Sequence, residues 1–96
     1  MKVRYTARAF SDLDIIRTYI NQFNPAAAGR VIALIEKIVE RLSNFPESGQ
    51  GTDELDARIA FSPRYPYRIY YRVSADEVVI LHIRHAARRP LQPNEI

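Results

Sequence analysis

The apolar positions of the first half of the chain recur at helical spacing. Phe10, Leu13, Ile16, Ile20 and Phe23 follow one another at intervals of three and four, which places them on one face of a helix. Thr6 precedes this run and supplies an N-cap oxygen, and Lys2 to Tyr5 ahead of it reads as a short strand. Asn24-Pro25 interrupts the pattern and starts a second helix, because Asn caps well and Pro is tolerated at the first helical position. Val31, Leu34, Ile35, Ile38, Leu42 and Phe45 form its apolar stripe. Pro46 cannot continue a helix, so this one ends near Asn44. So short a connection makes the two helices an antiparallel hairpin.

The period changes in the second half. Pro46 to Asp56 is a loop rich in Gly, Ser and acids, and Ala57 to Phe61 reads as a short strand. After the turn Ser62-Pro63-Arg64-Tyr65-Pro66, residues Tyr67 to Val73 alternate between two faces. Val78 to His85 is the last strand, apolar on both faces at its start, as a central strand is. The predicted architecture is α+β. It consists of an N-terminal strand, an antiparallel helical hairpin and a three-stranded antiparallel meander, in the order β-α-α-β-β-β. Residues 1–90 make one domain, and 91–96 are expected to form a flexible C-terminal tail.

Strand parity sorts the side chains. If the last hairpin buries Ile69, Tyr71 and Val73 with Val79, Leu81 and Ile83, facing residues must have numbers that sum to an even value. A four-residue loop at Ser74–Glu77 would pair Val73 with Val78 and mix the faces, whereas three or five residues keep them pure. The opposite face then carries Arg68, Tyr70, Arg72, His82 and Arg84, with Val78 and Ile80. Such a basic surface with an aromatic ring can hold phosphate, stack a base or accept an acidic peptide.

Composition sharpens this picture. The net charge is +3, and of the basic residues only Lys2 and Lys37 are lysines. Between Ala57 and Gln92 stand seven arginines (Arg58, Arg64, Arg68, Arg72, Arg84, Arg88 and Arg89) against only Asp76 and Glu77. Arginine's planar, permanently charged fork suits phosphate and carboxylate, so an anionic partner is expected. The chain has no cysteine, which excludes disulfides, thiolate metal sites and Cys nucleophiles and fits a reducing, cytoplasmic compartment. No apolar segment reads as a signal peptide or a membrane span.

Other chemistry is poorly supplied. His82 and His85 spell H-x-x-H, but positions three apart on a strand point to opposite faces and cannot share a metal. Ser11, Asp12 and His82 could be written as a triad, but no strained nucleophile turn surrounds the serine, and Ser11-Asp12 reads as polar helix surface. There is no phosphate-binding glycine loop, and no cofactor or metal is expected. Ile15 and Tyr19 form a second apolar edge on the first helix, outside its main stripe, and mark a protein interface.

Several stretches resemble the ParE/RelE superfamily of toxins. They are Ala9, Asp12-Leu13, Ile16 and Tyr19-Ile20; then Leu42, Pro46 and Gly49; then Tyr67 to Arg72; then Val79 to His85, closing in Arg88-Arg89. The resemblance implies the toxin of a type II toxin–antitoxin module, held by a ParD-like antitoxin whose disordered segment folds along Ile15 and Tyr19. RelE-like members cleave mRNA on the ribosome, and there Arg68, His82 and Arg84 would be the catalytic candidates. ParE-like members poison DNA gyrase, and there Arg68, Tyr70, Arg72, His82, Arg84, Arg88 and Arg89 would form the target-binding face. No tyrosine follows Arg88-Arg89, and the ending His-Ala-Ala-Arg-Arg-Pro is more similar to ParE, so gyrase is the expected target. The alternatives are mRNA cleavage and a non-toxic protein-binding module.

Overall fold

Both helices begin where the sequence supplies a cap. The Thr6 hydroxyl accepts from Ala9 N–H at 3.1 Å, and the Asn24 side chain accepts from Ala27 N–H at 3.1 Å. The computed structural model describes residues 1–52, 56–87 and 89–95. Its elements are β1 (Lys2–Tyr5), α1 (Ala7–Asn21), α2 (Pro25–Asn44), β2 (Gln50–Thr52), β3 (Ala57–Phe61), β4 (Tyr67–Ser74) and β5 (Glu77–His85). A short 3₁₀ turn follows at Pro93–Glu95. The strands form one sheet in the order β1-β5-β4-β3-β2. β1 pairs with β5 in parallel, and the remaining pairs are antiparallel. The predicted order is therefore present, with β5 inside the sheet. β2 is an addition, formed where part of the Pro46–Asp56 loop pairs with β3.

The helices cover one face, called inner here. From α2 it receives Val31, Ile32, Ile35, Val39 and Leu42, and from the sheet Ile69, Tyr71, Val78, Ile80 and Ile83. Phe45 is exposed and lies outside the stripe assigned to it. On α1 the buried residues are Ala9, Asp12 and Leu13. Phe10 and Phe23 are 60% and 73% exposed, so the helix turns a narrower strip inward than its apolar spacing implies.

The last hairpin departs from the expected register. Its loop is only Ala75-Asp76, and Val73 does face Val78. Ala75 takes a φ of 53°, in the left-handed region that two-residue hairpin loops need. The mixing of faces is avoided by an irregularity between Tyr70 and Tyr71. Tyr71 pairs with Ile80 and Tyr70 with His82, which leaves Leu81 as an extra residue. Val78 and Ile80 consequently point inward and are fully buried, not outward as parity alone suggested. Val79 and Leu81 exchange places with them. Beyond the bulge the pairing is even again, and Ile83 faces Ile69 on the inner side.

One inner residue also closes the loop after α2. The Tyr71 hydroxyl donates to Pro46 O at 2.8 Å and accepts from Gly49 N–H at 2.8 Å. A Cβ at position 49 would lie 2.4 Å from that hydroxyl oxygen, so only glycine fits.

Candidate functional site

The register places Arg68, Tyr70, Arg72, His82 and Arg84 together on the outer face. Arg68 faces Arg84 and Tyr70 faces His82 across β4 and β5, while Arg72 faces Val79. Ile59 faces Tyr70 and Phe61 faces Arg68 across β3, which adds two apolar members. The face is basic, as expected, but it is not an open plane. Tyr70, His82 and Arg84 are all buried, whereas Arg68 and Arg72 remain half-exposed. Tyr70 therefore offers no ring for stacking in this conformation. Arg72 donates to Asp56 O at 2.9 Å, just ahead of β3.

Tyr70 is covered by the C-terminal segment. Leu91, expected in a frayed tail, is 4% exposed and packs with Tyr70, Ala57, Ile59 and Leu81. Its N–H points at the Tyr70 hydroxyl at 3.4 Å. The segment is then clamped on itself. Arg89 reaches both carboxylate oxygens of Glu95, at 2.6 and 3.1 Å, and Gln92 N–H donates to Glu95 at 3.0 Å. The Arg89 hydrogen bonds and the Gln92 N–H hold the Glu95 carboxyl down at about 2. Arg88 lies outside the described residues.

His82 is tied to α1 by a residue read from the sequence as surface. β1 ends opposite Ile80, so from Leu81 onward this edge of β5 has no strand beside it among the described residues. The start of α1 serves that edge instead. Thr6 N–H donates to Ile80 O and the Thr6 hydroxyl to Leu81 O, both at 3.0 Å. Asp12 accepts from Ile83 N–H at 2.9 Å and from Arg8 Nε at 3.1 Å. The same carboxylate lies 2.5 Å from His82 Nδ1, out of line with the ring N–H. His82 Nε2 has no hydrogen-bond partner among the described residues. Burial lowers the His82 pKa below 6.5 and outweighs the attraction of Asp12; Arg8 and Arg84 push in the same direction as burial. Of the Ser11-Asp12-His82 set only Asp12 and His82 meet. The clue was present in the sequence: Asp12 stands three residues after Ala9 and four before Ile16, within the inward strip.

His85 turns away from His82, stacking edge-on with Tyr67 at 5.3 Å and accepting from Ala87 N–H at 3.0 Å. No group of three metal-ligating side chains occurs among the described residues.

Among the described residues, open apolar surface includes a ridge on α1 and a groove beside α2. Ile15 and Tyr19 are both 63% exposed, and Phe23 continues their line, with its ring 5.4 Å from that of Tyr19. The groove, of about 920 Å³, is walled by Leu34, Ile38 and Leu42 and bounded by Ala60 and Phe61. No helix among the described residues is long and apolar enough to cross a membrane.

Comparison with known proteins agrees with this architecture. Residues 3–90 match the family model described as ParE toxin of type II toxin-antitoxin system, parDE. The chain is 39% identical over 87 residues to Toxin RelE2 of Caulobacter vibrioides, covering 91% of this chain and 97% of that protein. It superposes with a TM-score of 0.79 on a chain of the chromosomal ParDE system from P. aeruginosa, at 25% identity, over 88% of this chain and 95% of the other. A chain of the RelBE2 toxin–antitoxin complex from Mycobacterium tuberculosis gives a TM-score of 0.62 at 26% identity, with the same coverage of each chain. With the β-α-α-meander order, the outer arginines and the match over nearly its full length, the chain belongs to the ParE/RelE family of type II toxin–antitoxin toxins.

Proposed function

We propose that this toxin acts by poisoning DNA gyrase and is neutralised in the cytoplasm by a ParD-like antitoxin. The observation that carries the choice of target is the burial of His82. General acid–base cleavage of RNA needs an accessible proton carrier on each side of the phosphate. His82 was the candidate for one, and it is buried and held against Asp12. Arginine supplies no second carrier, since a guanidinium group in a protein does not give up its proton. A protein-binding poison needs only a shaped cationic surface, and Arg68, Arg72 and Arg89 provide one. The higher TM-score with the ParDE chain than with the RelBE2 chain supports the same choice.

The partner reading rests on the exposed ridge Ile15–Tyr19–Phe23. An amphipathic antitoxin segment that folds on binding would bury it, and acidic residues on that segment would meet the arginines. The name of the Caulobacter relative, RelE2, favours a second reading, ribosome-dependent mRNA cleavage.

Purified protein incubated with gyrase and plasmid DNA, and separately with translating ribosomes, separates the two. Inhibited supercoiling or trapped gyrase–DNA cleavage complexes with intact mRNA are expected. Ribosome-dependent cuts in mRNA with gyrase unaffected would reverse the assignment.

A further inference from the structure

The ridge on α1 does not stop at its apolar residues. Arg8 stands two helical turns before Ile15 and three before Tyr19, which puts all three on one side of the helix. The Arg8 side chain is 57% exposed, and its Nε donates to Asp12 Oδ1 at 3.1 Å. The other oxygen of Asp12 serves the strand. Oδ2 accepts from Ile83 N–H at 2.9 Å and lies 2.5 Å from His82 Nδ1. One carboxylate therefore connects an exposed cation with an imidazole whose side chain is only 3% exposed. His82 faces Tyr70 across β4 and β5, with the two rings 6.3 Å apart. Arg84 follows on the same strand and is buried as well.

We propose that Arg8, Asp12 and His82 form an electrostatic relay, through which an acidic side chain of a partner seated on the ridge acts on the buried imidazole of the outer face. The inference rests on the reading of the ridge as the antitoxin seat. A helical segment that covers Ile15 and Tyr19 reaches Arg8 by extending about 10 Å further along α1. An acidic residue there meets a guanidinium fork with donors besides the Nε–H that Asp12 holds. Charge then sets the direction of the effect. Burial is the main force against a proton on His82; Asp12 favours that proton, and Arg8 and Arg84 oppose it. A partner carboxylate on Arg8 offsets one of the opposing charges. The imidazole then takes up a proton more readily, whether or not Arg8 keeps its bond to Asp12. A charged His82 adds a cation near Arg84, where burial leaves repulsion poorly screened. A partner on α1 thereby changes the outer face without covering it.

The test follows the ring signals of His82 and His85, the two histidines of the chain, by NMR as pH is lowered. His85 stacks on Tyr67 and serves as the reference. Arg8→Gln removes an exposed charge without opening the core, and Asp12→Asn keeps an acceptor for Ile83 N–H. Titration of His82 should move to higher pH in Arg8→Gln and to lower pH in Asp12→Asn, with His85 unchanged. Arg8→Lys should titrate as the native chain does, which separates the charge from the packing of the side chain. If Asp12→Asn does not fold, Arg8→Gln and Arg8→Lys decide. The small protein encoded beside this chain is then added to the native form. It should move His82 in the same direction as Arg8→Gln does, and add nothing further in that variant. An unmoved His82 in Arg8→Gln overturns the relay, as does a His82 that stays neutral in every form until acid unfolds it. Protection of the Ile15 and Tyr19 amides on binding, with His82 unmoved, overturns the coupling to the partner. Binding that leaves those amides unprotected, with His82 still moved in Arg8→Gln, overturns the antitoxin reading of the ridge and supports the relay within the chain.

Discussion

The two faces of the sheet are buried by different means. The inner face is closed by aliphatic side chains from two long helices, with Ile35, Ile69, Val78 and Ile80 fully buried among them. On the outer face Leu91 of the C-terminal segment packs on Tyr70, Ala57, Ile59 and Leu81, while His82 lies against Asp12 of α1. The first arrangement gains stability from apolar area removed from water. The second buries a smaller apolar cluster together with polar groups, His82 and Arg84, that water would solvate well.

Substitutions should expose this contrast. Ile69→Ala on the inner face is expected to cost about 3–4 kcal/mol, through lost burial and the cavity left behind, read as a shift of the urea midpoint. A cost under about 1 kcal/mol would mean that the inner face is not the stabilising core. Asp12→Ala comes next, at about 2–3 kcal/mol, because it strands Ile83 N–H at the edge of β5 and removes the carboxylate beside His82. Asp12→Asn should recover part of the loss by keeping an acceptor for Ile83. If Asp12→Ala is neutral, the start of α1 does not serve that edge.

The smallest effect is pH dependence. His82 has a folded pKa lowered from 6.5, so the unfolded chain takes up its proton first as pH falls. The neutral imidazole's contribution is fully present above about 6.5 and is lost progressively below it. Asp12 and Arg8 from α1, with Arg84 and Tyr70 from the sheet, are the groups facing the ring. Melting temperatures of the native protein should fall between neutral and mildly acidic pH, and less so in His82→Gln. Parallel profiles for the two would place the titrating group elsewhere.

Much of the fold could be read from local rules. Thr6 and Asn24 announce the helix starts, and the alternation in β4 sorts Ile69 and Tyr71 from Arg68, Tyr70 and Arg72. Parity also gathered His82 and Arg84 onto the face of Arg68. What escaped was non-local. A two-residue loop with a bulge at Leu81 restores the same parity as an odd loop, so the sequence pattern cannot choose between them, and Val78 and Ile80 were assigned to the wrong side. Leu91 finds its apolar contact on a strand twenty-one residues earlier. Asp12 meets β5 across seventy-one residues. Phe10 and Phe23 match helical spacing but fall at the margin of a helix that is only partly covered, and exposed aromatics of this kind suit a partner rather than the core.

The central claim is that this chain is a toxin restrained through the ridge on α1. Induced expression in a bacterial host, alone and together with the small protein encoded beside it, tests that most directly. The account predicts growth arrest when the chain is expressed alone and recovery when its neighbour is present. It also predicts loss of that recovery for Tyr19→Asp, with arrest retained. Normal growth on expression of the unmodified, folded chain would contradict it.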